Sequence, residues 1–154
     1  MKINKIISLI IIVILFFSCT KKEQVKESII KEKNLNLQVL EAYKEGKESL
    51  EGGDVLYAAK KFNEAEKLFP QSEWAPRSAL MAAYSYYAQD YYNDAKAELE
   101  RFIKIYPYHQ NLDYAYYLIA IVYYEQIVDE KKDIESIIYA KKSFERVVEK
   151  FPNS

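Results

Sequence analysis

Tyrosine is the side chain whose number and spacing carry the most chemical information in this sequence. Fifteen tyrosines occur, and most lie in the segments 84–92 and 106–124. Each offers a large apolar ring and a hydroxyl that can form a hydrogen bond when partly buried. That combination suits the binding of an extended, aromatic polypeptide segment. Tyrosines also serve as core or inter-helix packing with a wet hydroxyl, so the binding interpretation concerns the set and not any single residue.

Residues for catalysis or metal binding are sparse. His109 is the only histidine and Cys19 the only cysteine. The sequence has no pair of histidines at metal-ligand spacing and no Gly-x-Ser-x-Gly element. We therefore interpret His109 as a loop or helix-cap side chain and predict a non-enzymatic protein without a metal site. Acidic residues stand mostly beside lysines, as Glu64 does near Lys60, which indicates solvated helix faces.

The first 18 residues have the form of a secretory signal. Two lysines precede an apolar stretch at 6–17, which is shorter than the roughly 20 residues that a membrane-spanning helix requires. Ser18 and Cys19 follow, and this arrangement resembles the lipobox of bacterial lipoproteins. The resemblance implies that residues 1–18 are removed and that Cys19 becomes the mature N-terminus, carrying a covalent, palmitate-bearing diacylglycerol and no other cofactor. An ordinary leader thiol is the alternative for Cys19.

Residues 19–35 are polar and rich in lysine, which predicts a flexible tether between the lipid and the folded domain. Its lysines suit either a solvated spacer or contact with anionic headgroups. Thr20 follows the cysteine where aspartate would signal retention, and the lipoprotein sorting rule then implies the outer membrane, with the domain facing the periplasm. Loss of the leader changes the formal net charge from -1 to -3, which disfavours nucleic acid as a partner.

One register of apolar residues recurs three times and each time runs into proline. The three runs are Ala58, Phe62, Ala65, Phe69 and Pro70; Ala95, Leu99, Phe102, Tyr106 and Pro107; and Ala140, Phe144, Val147, Phe151 and Pro152. Steps of four, three and four residues trace one face of an α-helix, which the proline cannot continue. The sequence therefore predicts an all-α repeat array, because its aromatic and β-branched residues follow helical and not alternating spacing.

The repeat length indicates the kind of array. Pro70 and Pro107 are 37 residues apart and Pro107 and Pro152 are 45 apart, close to the period of a tetratricopeptide repeat, which is an antiparallel helix pair. The longer third repeat is explained by a charged loop insertion at 129–133. The predicted helices are 36–51, 55–69, 73–88, 92–106, 112–127 and 134–151. They form a tetratricopeptide-like domain at 36–154 with repeats at 36–71, 72–108 and 111–154.

Small and polar residues mark the contacts and turns of this array. Gly46, Ala83 and Ala120 occupy the tight contact within each helix pair, where a larger side chain would push the helices apart. Gly52 and Gly53 supply the first turn. Ser72 and Asn111 are predicted helix N-caps. Ser154 stands where Ser72 stands in the first repeat, so a further helix is expected after it. Either the sequence stops early or a partner covers its last apolar face.

Several stretches go beyond a generic repeat. They are 69–75 (FPQSEWA), 101–111 (RFIKIYPYHQN), 113–117 (DYAYY) and 144–154 (FERVVEKFPNS). Together with the leader, they closely resemble the outer-membrane assembly lipoprotein family BamD (ComL), over essentially the whole chain. That family has about five repeats, so the match is to its N-terminal part.

This resemblance implies a non-enzymatic scaffold of the outer-membrane β-barrel assembly (Bam) complex. The implied partners are a BamA-type barrel subunit, other Bam lipoproteins and the C-terminal segments of unfolded outer-membrane proteins, which usually end in an aromatic residue. Because the C-terminal repeats of the family dock onto BamA, the part present here is implied to receive client segments more than to dock.

In a tetratricopeptide array, the first helix of each pair lines the concave side. The residues predicted to line it and to bind peptide are Tyr43, Arg77, Tyr84, Tyr87, Tyr114, Tyr117 and Tyr124. Among them, Arg77 could hold a terminal carboxylate through paired hydrogen bonds.

Two alternatives stay open. A periplasmic scaffold of cell-envelope constriction, of the Tol-Pal accessory type, shares a Tyr-Pro-x-Ser signature, although the lipobox and the insertion at 129–133 disfavour it. From a different class, the chain could be part of an envelope enzyme or transporter whose active domain lies further along.

Overall fold

Within the described residues, the fold consists of six helices and has no strand. A computed structural model describes residues 27–127 and 134–154, with side chains from residue 34 onward. The helices are α1 (Glu27–Glu51), α2 (Val55–Leu68), α3 (Trp74–Tyr87), α4 (Tyr92–Ile105), α5 (Leu112–Glu125) and α6 (Ile134–Lys150). The all-α prediction is confirmed. Helices α2 to α6 lie within two residues of their predicted bounds at both ends.

Helix α1 begins nine residues before its predicted start, so the helix boundary at 36 is wrong. Residues 27–35, which we interpreted as part of a flexible tether, are helical. The cause is composition: 27–35 contains glutamate, lysine and leucine, which favour helix, and neither glycine nor proline to stop it. The leader, Cys19 and residues 19–26 of the predicted tether lie outside the described residues, as does the insertion at 129–133.

Neighbouring helices pack as antiparallel pairs within the unit Lys31–Ser154. The described connections are short, at 52–54, 69–73, 88–91 and 106–111, and consecutive helices from α2 to α6 are in contact. Helix α1 meets α2 at Gly46, where an added Cβ would lie 3.0 Å from the Phe62 ring. That distance confirms the predicted tight contact, and the arrangement confirms a tetratricopeptide-like solenoid.

The core follows the repeated register. Phe62 in α2 and Leu99 and Phe102 in α4 are fully buried. The largest buried cluster joins three consecutive helices, α3, α4 and α5, through Ala79, Leu80, Ala83, Ala95, Leu99, Phe102, Ala115, Leu118 and Val122. Alanines lie where the helices approach closely, and bulky residues fill the space beyond them. The core therefore continues from one helix pair to the next.

The turns agree only in part with the predicted caps. Gly53 adopts a φ of +84° in the first turn, a conformation that favours glycine, as predicted there. Asp54 then caps α2, accepting a hydrogen bond from the Tyr57 backbone N–H at 3.1 Å. The prediction for Ser72 is wrong, because Glu73 occupies the N-cap position of α3. The N-cap lies one residue later than predicted because the chain forms a turn at Ser72. The backbone carbonyl of Ser72 accepts a hydrogen bond from the Ala75 N–H at 3.2 Å.

The loop before α5 combines two predicted cap residues in an unexpected way. Asn111 is at the N-cap position, as predicted, but its side chain makes no capping hydrogen bond. Instead, the backbone N–H of Asn111 donates to Nδ1 of His109 at 3.2 Å. The His109 ring also packs edge-on against Phe102, with centroids 5.5 Å apart. Its interpretation as a loop or helix-cap side chain is confirmed.

Candidate functional site

Four of the seven predicted binding residues line one recess between α1, α3 and α5. The recess has a volume of about 540 Å³ and is lined by Tyr43, Arg77, Leu80, Met81, Tyr84, Gln110, Asn111 and Tyr114. Arg77, Leu80 and Tyr84 recur at three- and four-residue steps, so they share one face of α3. The first helices of successive pairs thus bring predicted residues from three repeats to one surface.

A second recess lies beside the first. Its volume is about 380 Å³, and Tyr114 and Tyr117 of α5 line it together with Val147, Val148 and Phe151 near the end of α6. Because Tyr114 belongs to both recesses, they adjoin along α5. We call the two recesses together the tyrosine groove.

The groove adjoins a further tyrosine, Tyr87, which lines neither recess. The Tyr84 and Tyr87 ring centroids are 6.2 Å apart. Burial raises the pKa of Tyr114, and the phenols of Tyr84, Tyr87 and Tyr117 raise it further. Burial likewise raises the pKa of Tyr87, and the negative charge of the Glu125 carboxylate raises it further. The Tyr114 hydroxyl therefore remains protonated at neutral pH and can donate a hydrogen bond to a bound backbone.

Some predicted residues also pack the protein itself. Tyr43 is half-buried, with its ring centroid 5.2 Å from that of Phe62 and 5.0 Å from that of Trp74. Tyr87 packs against the α3–α4–α5 cluster. The packing interpretation therefore applies to these two tyrosines, and Tyr43 also borders the first recess.

The exposed predicted tyrosines are Tyr84 at 37%, Tyr114 at 39%, Tyr117 at 46% and Tyr124 at 58% exposure. Tyr117 contacts Phe144 of α6 edge-on, at a centroid distance of 6.3 Å. Tyr124 lies two helical turns beyond Tyr117 on the same side of α5, near the C-terminal end of that helix. Aromatic surface therefore runs along the length of α5.

Arg77 supplies a positive charge at the first recess. Its side chain is exposed, and the guanidinium carbon lies 5.4 Å from the centre of the Trp74 ring. Within residues 34–127 and 134–154, no carboxylate forms an ion pair with Arg77. Its planar donors are consequently available to an anionic group, such as a carboxylate, that enters the recess.

Sequence reasoning missed a buried polar cluster between α2 and α4. Glu66 is 5% exposed and accepts two hydrogen bonds from Arg101, at 2.8 and 2.7 Å. The Tyr106 hydroxyl donates to Glu66 at 2.8 Å, and Arg101 also donates to Glu98 at 2.8 Å. Burial and the Glu66 carboxylate raise the pKa of Tyr106, and Glu66 raises that of Arg101. This cluster joins the second helices of the first two repeats.

A signal for this cluster exists in the sequence. Glu66 follows Ala65 and lies one turn after Phe62, so it sits at the edge of the apolar face and not on a solvated one. An acid at that position needs a partner, because burying an unpaired charge is costly. Arg101, which lies 35 residues further on, about one repeat away, is that partner.

Two features are absent from the described residues. Within 27–127 and 134–154, no helix combines the length and the apolar character needed to cross a bilayer. No group of three histidine, cysteine, aspartate or glutamate side chains in the same part of the chain could hold a metal ion.

The fold and its groove define the chain as a tetratricopeptide-like helical-repeat protein with tyrosine-lined recesses on its surface. Residues 36–154 match the YfiO family, described as outer membrane lipoprotein. The chain belongs to this family, and the resemblance to BamD is confirmed by curated relatives of that name.

Three such relatives are each named outer membrane protein assembly factor BamD. The protein from Caulobacter vibrioides is 38% identical over 112 residues, covering 73% of this chain and 37% of the relative. The one from Rickettsia prowazekii is 31% identical over 154 residues, covering 100% of this chain and 59% of the relative. The one from Neisseria gonorrhoeae is 32% identical over 122 residues, covering 73% and 46%. The chain thus spans between about a third and three fifths of the length of these relatives.

Proposed function

We propose that this protein is a non-enzymatic, lipid-anchored scaffold in the assembly of outer-membrane proteins. It binds C-terminal segments of unfolded client proteins in the tyrosine groove and acts with a BamA-type barrel subunit and other Bam lipoproteins. The family membership and the name of the relatives, assembly factor, support this role over the Tol-Pal accessory alternative. Cys19 carries the lipid that keeps the domain at the periplasmic face of the outer membrane.

The observation that carries the proposal is the tyrosine groove itself. Its two recesses, of about 540 and 380 Å³, adjoin at Tyr114, and each is large enough for an aromatic side chain. An extended peptide places alternate side chains on the same side, so two neighbouring recesses suit residues two apart. Tyr84 and Tyr114 are partly exposed, and their hydroxyls can form hydrogen bonds with the peptide backbone.

Arg77 gives the groove a preferred orientation for a bound peptide. An exposed guanidinium beside an aromatic recess suits a peptide that ends there, with its last side chain in the recess and its terminal carboxylate on the arginine. The client segment would then be recognised by its free C-terminus as well as by its aromatic residues.

Calorimetry with a defined peptide tests the groove. The probe is a short synthetic peptide with alternating apolar residues and a C-terminal phenylalanine, titrated into the full chain in uncharged detergent. The double variant Tyr84→Ala, Tyr114→Ala should bind at least about tenfold more weakly, because it removes two of the three tyrosines that line the first recess. Tyr108→Ala is the matched control, since Tyr108 is 98% exposed and lies outside the groove.

A second set of titrations tests the orientation of the bound peptide. Arg77→Gln should lower affinity for the free-acid peptide by about fivefold and leave the C-terminally amidated peptide unchanged, because only the free acid offers a carboxylate. Equal affinity of wild type and the Tyr84, Tyr114 double variant for the free-acid peptide, with the fold intact by circular dichroism, would exclude this groove as the client site.

A further inference from the structure

A third recess lies on the opposite side of α5 from the tyrosine groove. Its volume is about 450 Å³, and it is formed by residues of α4, α5 and α6. Tyr116, Ile119 and Tyr123 line it from α5. At about 100° per residue, these positions lie roughly half a turn around the helix from Tyr114 and Tyr117. The two sites therefore occupy different surfaces.

The floor of this recess is aromatic and aliphatic. The rings of Tyr123 and Tyr139 stack with centroids 5.3 Å apart and an interplanar angle of 23°. Ile103 and Ile119 complete the apolar lining. A single large apolar side chain would fill such a space well, whereas a flat surface would not enter it.

The rim is basic. Lys142 and Arg146 are exposed and line the recess, Lys96 lies 5.3 Å from the Tyr123 ring centre, and Lys150 lies 4.9 Å from that of Tyr116. Glu100 is the carboxylate among the lining residues. Within the described part of the chain, none of the four cations forms an ion pair with a carboxylate. In a chain with a net charge of -1, this is a local excess of positive charge.

Comparison of the repeats explains the excess. In the repeated register, Arg146 precedes Val147 as Arg101 precedes Phe102, and Ile103 follows Phe102 as Glu66 follows Ala65. Between the first two repeats, Arg101 pairs with the buried Glu66. Between the second and third, the position of Glu66 is taken by Ile103, so Arg146 has no equivalent carboxylate and the space beside it is open.

We propose that this open junction, which we call the basic recess, is a docking site for an acidic segment of a partner protein. The segment carries one aromatic or large aliphatic residue flanked by glutamates or aspartates. The apolar residue enters the recess, and a flanking carboxylate pairs with Arg146 as Glu66 pairs with Arg101. Lys142, Lys96 and Lys150 steer the acidic segment to the recess.

The test uses fluorescence anisotropy with the full chain in uncharged detergent. The probe is a short labelled peptide with one phenylalanine flanked by glutamates, and its counterpart has lysines in place of the glutamates. Wild type should bind the glutamate peptide and not the lysine peptide. Arg146→Glu should weaken binding of the glutamate peptide by about tenfold or more. Lys141→Glu, an equal charge reversal at the neighbouring exposed Lys141 outside the recess, should change it by less than about twofold.

A third variant tests the repeat comparison. Ile103→Glu places a carboxylate at the position that corresponds to Glu66. This carboxylate should pair with Arg146 and abolish binding of the glutamate peptide while the protein remains folded. If Arg146→Glu does not fold, Arg146→Gln replaces it, with a loss of about fivefold expected. The groove variant Tyr84→Ala, Tyr114→Ala should bind the glutamate peptide normally, which separates this proposal from the proposed client site.

Other occupants would give different results, each of which overturns the proposal. Equal losses for Arg146→Glu and Lys141→Glu would show that only overall charge matters. Binding of phosphatidylglycerol vesicles that Arg146→Glu abolishes, without binding of the peptide, would assign the basic recess to a lipid surface. A dimer in sedimentation analysis that Arg146→Glu dissociates, again without peptide binding, would assign it to a second copy of the chain.

Discussion

Helices α4 and α6 carry the same register of core residues but bury it to different extents. Leu99 and Phe102 of α4 are fully buried, whereas their counterparts in α6, Phe144 and Val147, are only half-buried. Helix α4 packs between α3 and α5, while α6 packs against α5 among the described helices. Burial in a solenoid is thus set by the neighbours of a helix as well as by its own sequence, since each repeat contacts only the next one.

The two junctions between repeats also differ in how completely they are closed. The first is closed by a buried carboxylate that holds an arginine and a tyrosine, and the second is an open recess with an exposed arginine. The first junction is therefore tied by packing and by hydrogen bonds, whereas the second leaves surface that other molecules can contact. Loss of a buried side chain should accordingly cost more stability at the first junction than at the second.

The largest expected effect compares Phe102→Ala with Phe144→Ala. Phe102 is fully buried, so its removal should lower the free energy of unfolding by about 3–5 kcal/mol. Phe144 is half-buried, and its removal should cost less than half as much, about 1–2 kcal/mol. Urea unfolding followed by circular dichroism measures both. Equal losses would mean that α6 is covered as completely as α4 in solution.

A smaller effect is expected at the first junction. Glu66→Gln leaves Arg101 without its buried charge partner and should lower the free energy of unfolding by about 2–3 kcal/mol, since Arg101 is one-third exposed. The control is Glu64→Gln. It breaks an ion pair with Lys61 in which the Glu64 side chain is 45% exposed, and it should cost less than about 0.5 kcal/mol. A cost for Glu66→Gln as small as that of Glu64→Gln would show that the cluster does not tie the two repeats together.

The smallest effect concerns His109, in the loop between the second and third helix pairs. Burial and then the charge of Arg77 lower the pKa of His109 below its ordinary 6.5. The unfolded chain therefore binds the proton more readily, so this contribution to stability is complete above pH 6.5 and is lost as the pH falls through the lowered pKa. The variant His109→Asn cannot titrate but can still accept the Asn111 hydrogen bond.

Thermal unfolding between pH 7 and pH 5 should therefore show a decrease in Tm for wild type and a flatter profile for His109→Asn. Asp113 does not interfere in this window. Its pKa is lowered below 3.8, chiefly by a hydrogen bond from Ser154, so its contribution is lost only at more acidic pH. Parallel profiles for the two proteins would contradict the assignment to His109.

The sequence predicted the helices well because each of its signals was local. Steps of three and four residues that end at Pro70, Pro107 and Pro152 define a helix face and its end without knowledge of the rest of the fold. The start of α1 was missed because no residue in 27–35 marks a boundary, and the apolar register begins only later. The cap at Ser72 was missed by one residue because a turn precedes the helix.

The site was predicted only in part, because some of its residues are brought together by contacts between repeats. First-helix positions of a tetratricopeptide array predicted that Tyr84 and Tyr114 share one wall, and the structure brings them to a common recess. The cluster of Glu66 with Arg101 and the basic recess at Arg146 depend on contacts between repeats. Such contacts follow from the sequence only when equivalent positions of neighbouring repeats are compared, a comparison in which Glu66 and Ile103 stand out.

Site-specific photo-cross-linking tests directly whether the tyrosine groove receives client segments. Benzoylphenylalanine would replace Tyr84, Tyr114 or Tyr117 in the groove, and the exposed Tyr57, Tyr91 or Tyr108 outside both proposed sites, in the full chain presented with an unfolded outer-membrane protein. Cross-links to the C-terminal segment of the client are expected from the three groove positions and not from the other three. Cross-links from Tyr57, Tyr91 or Tyr108, with none from the groove, would contradict client binding in the groove.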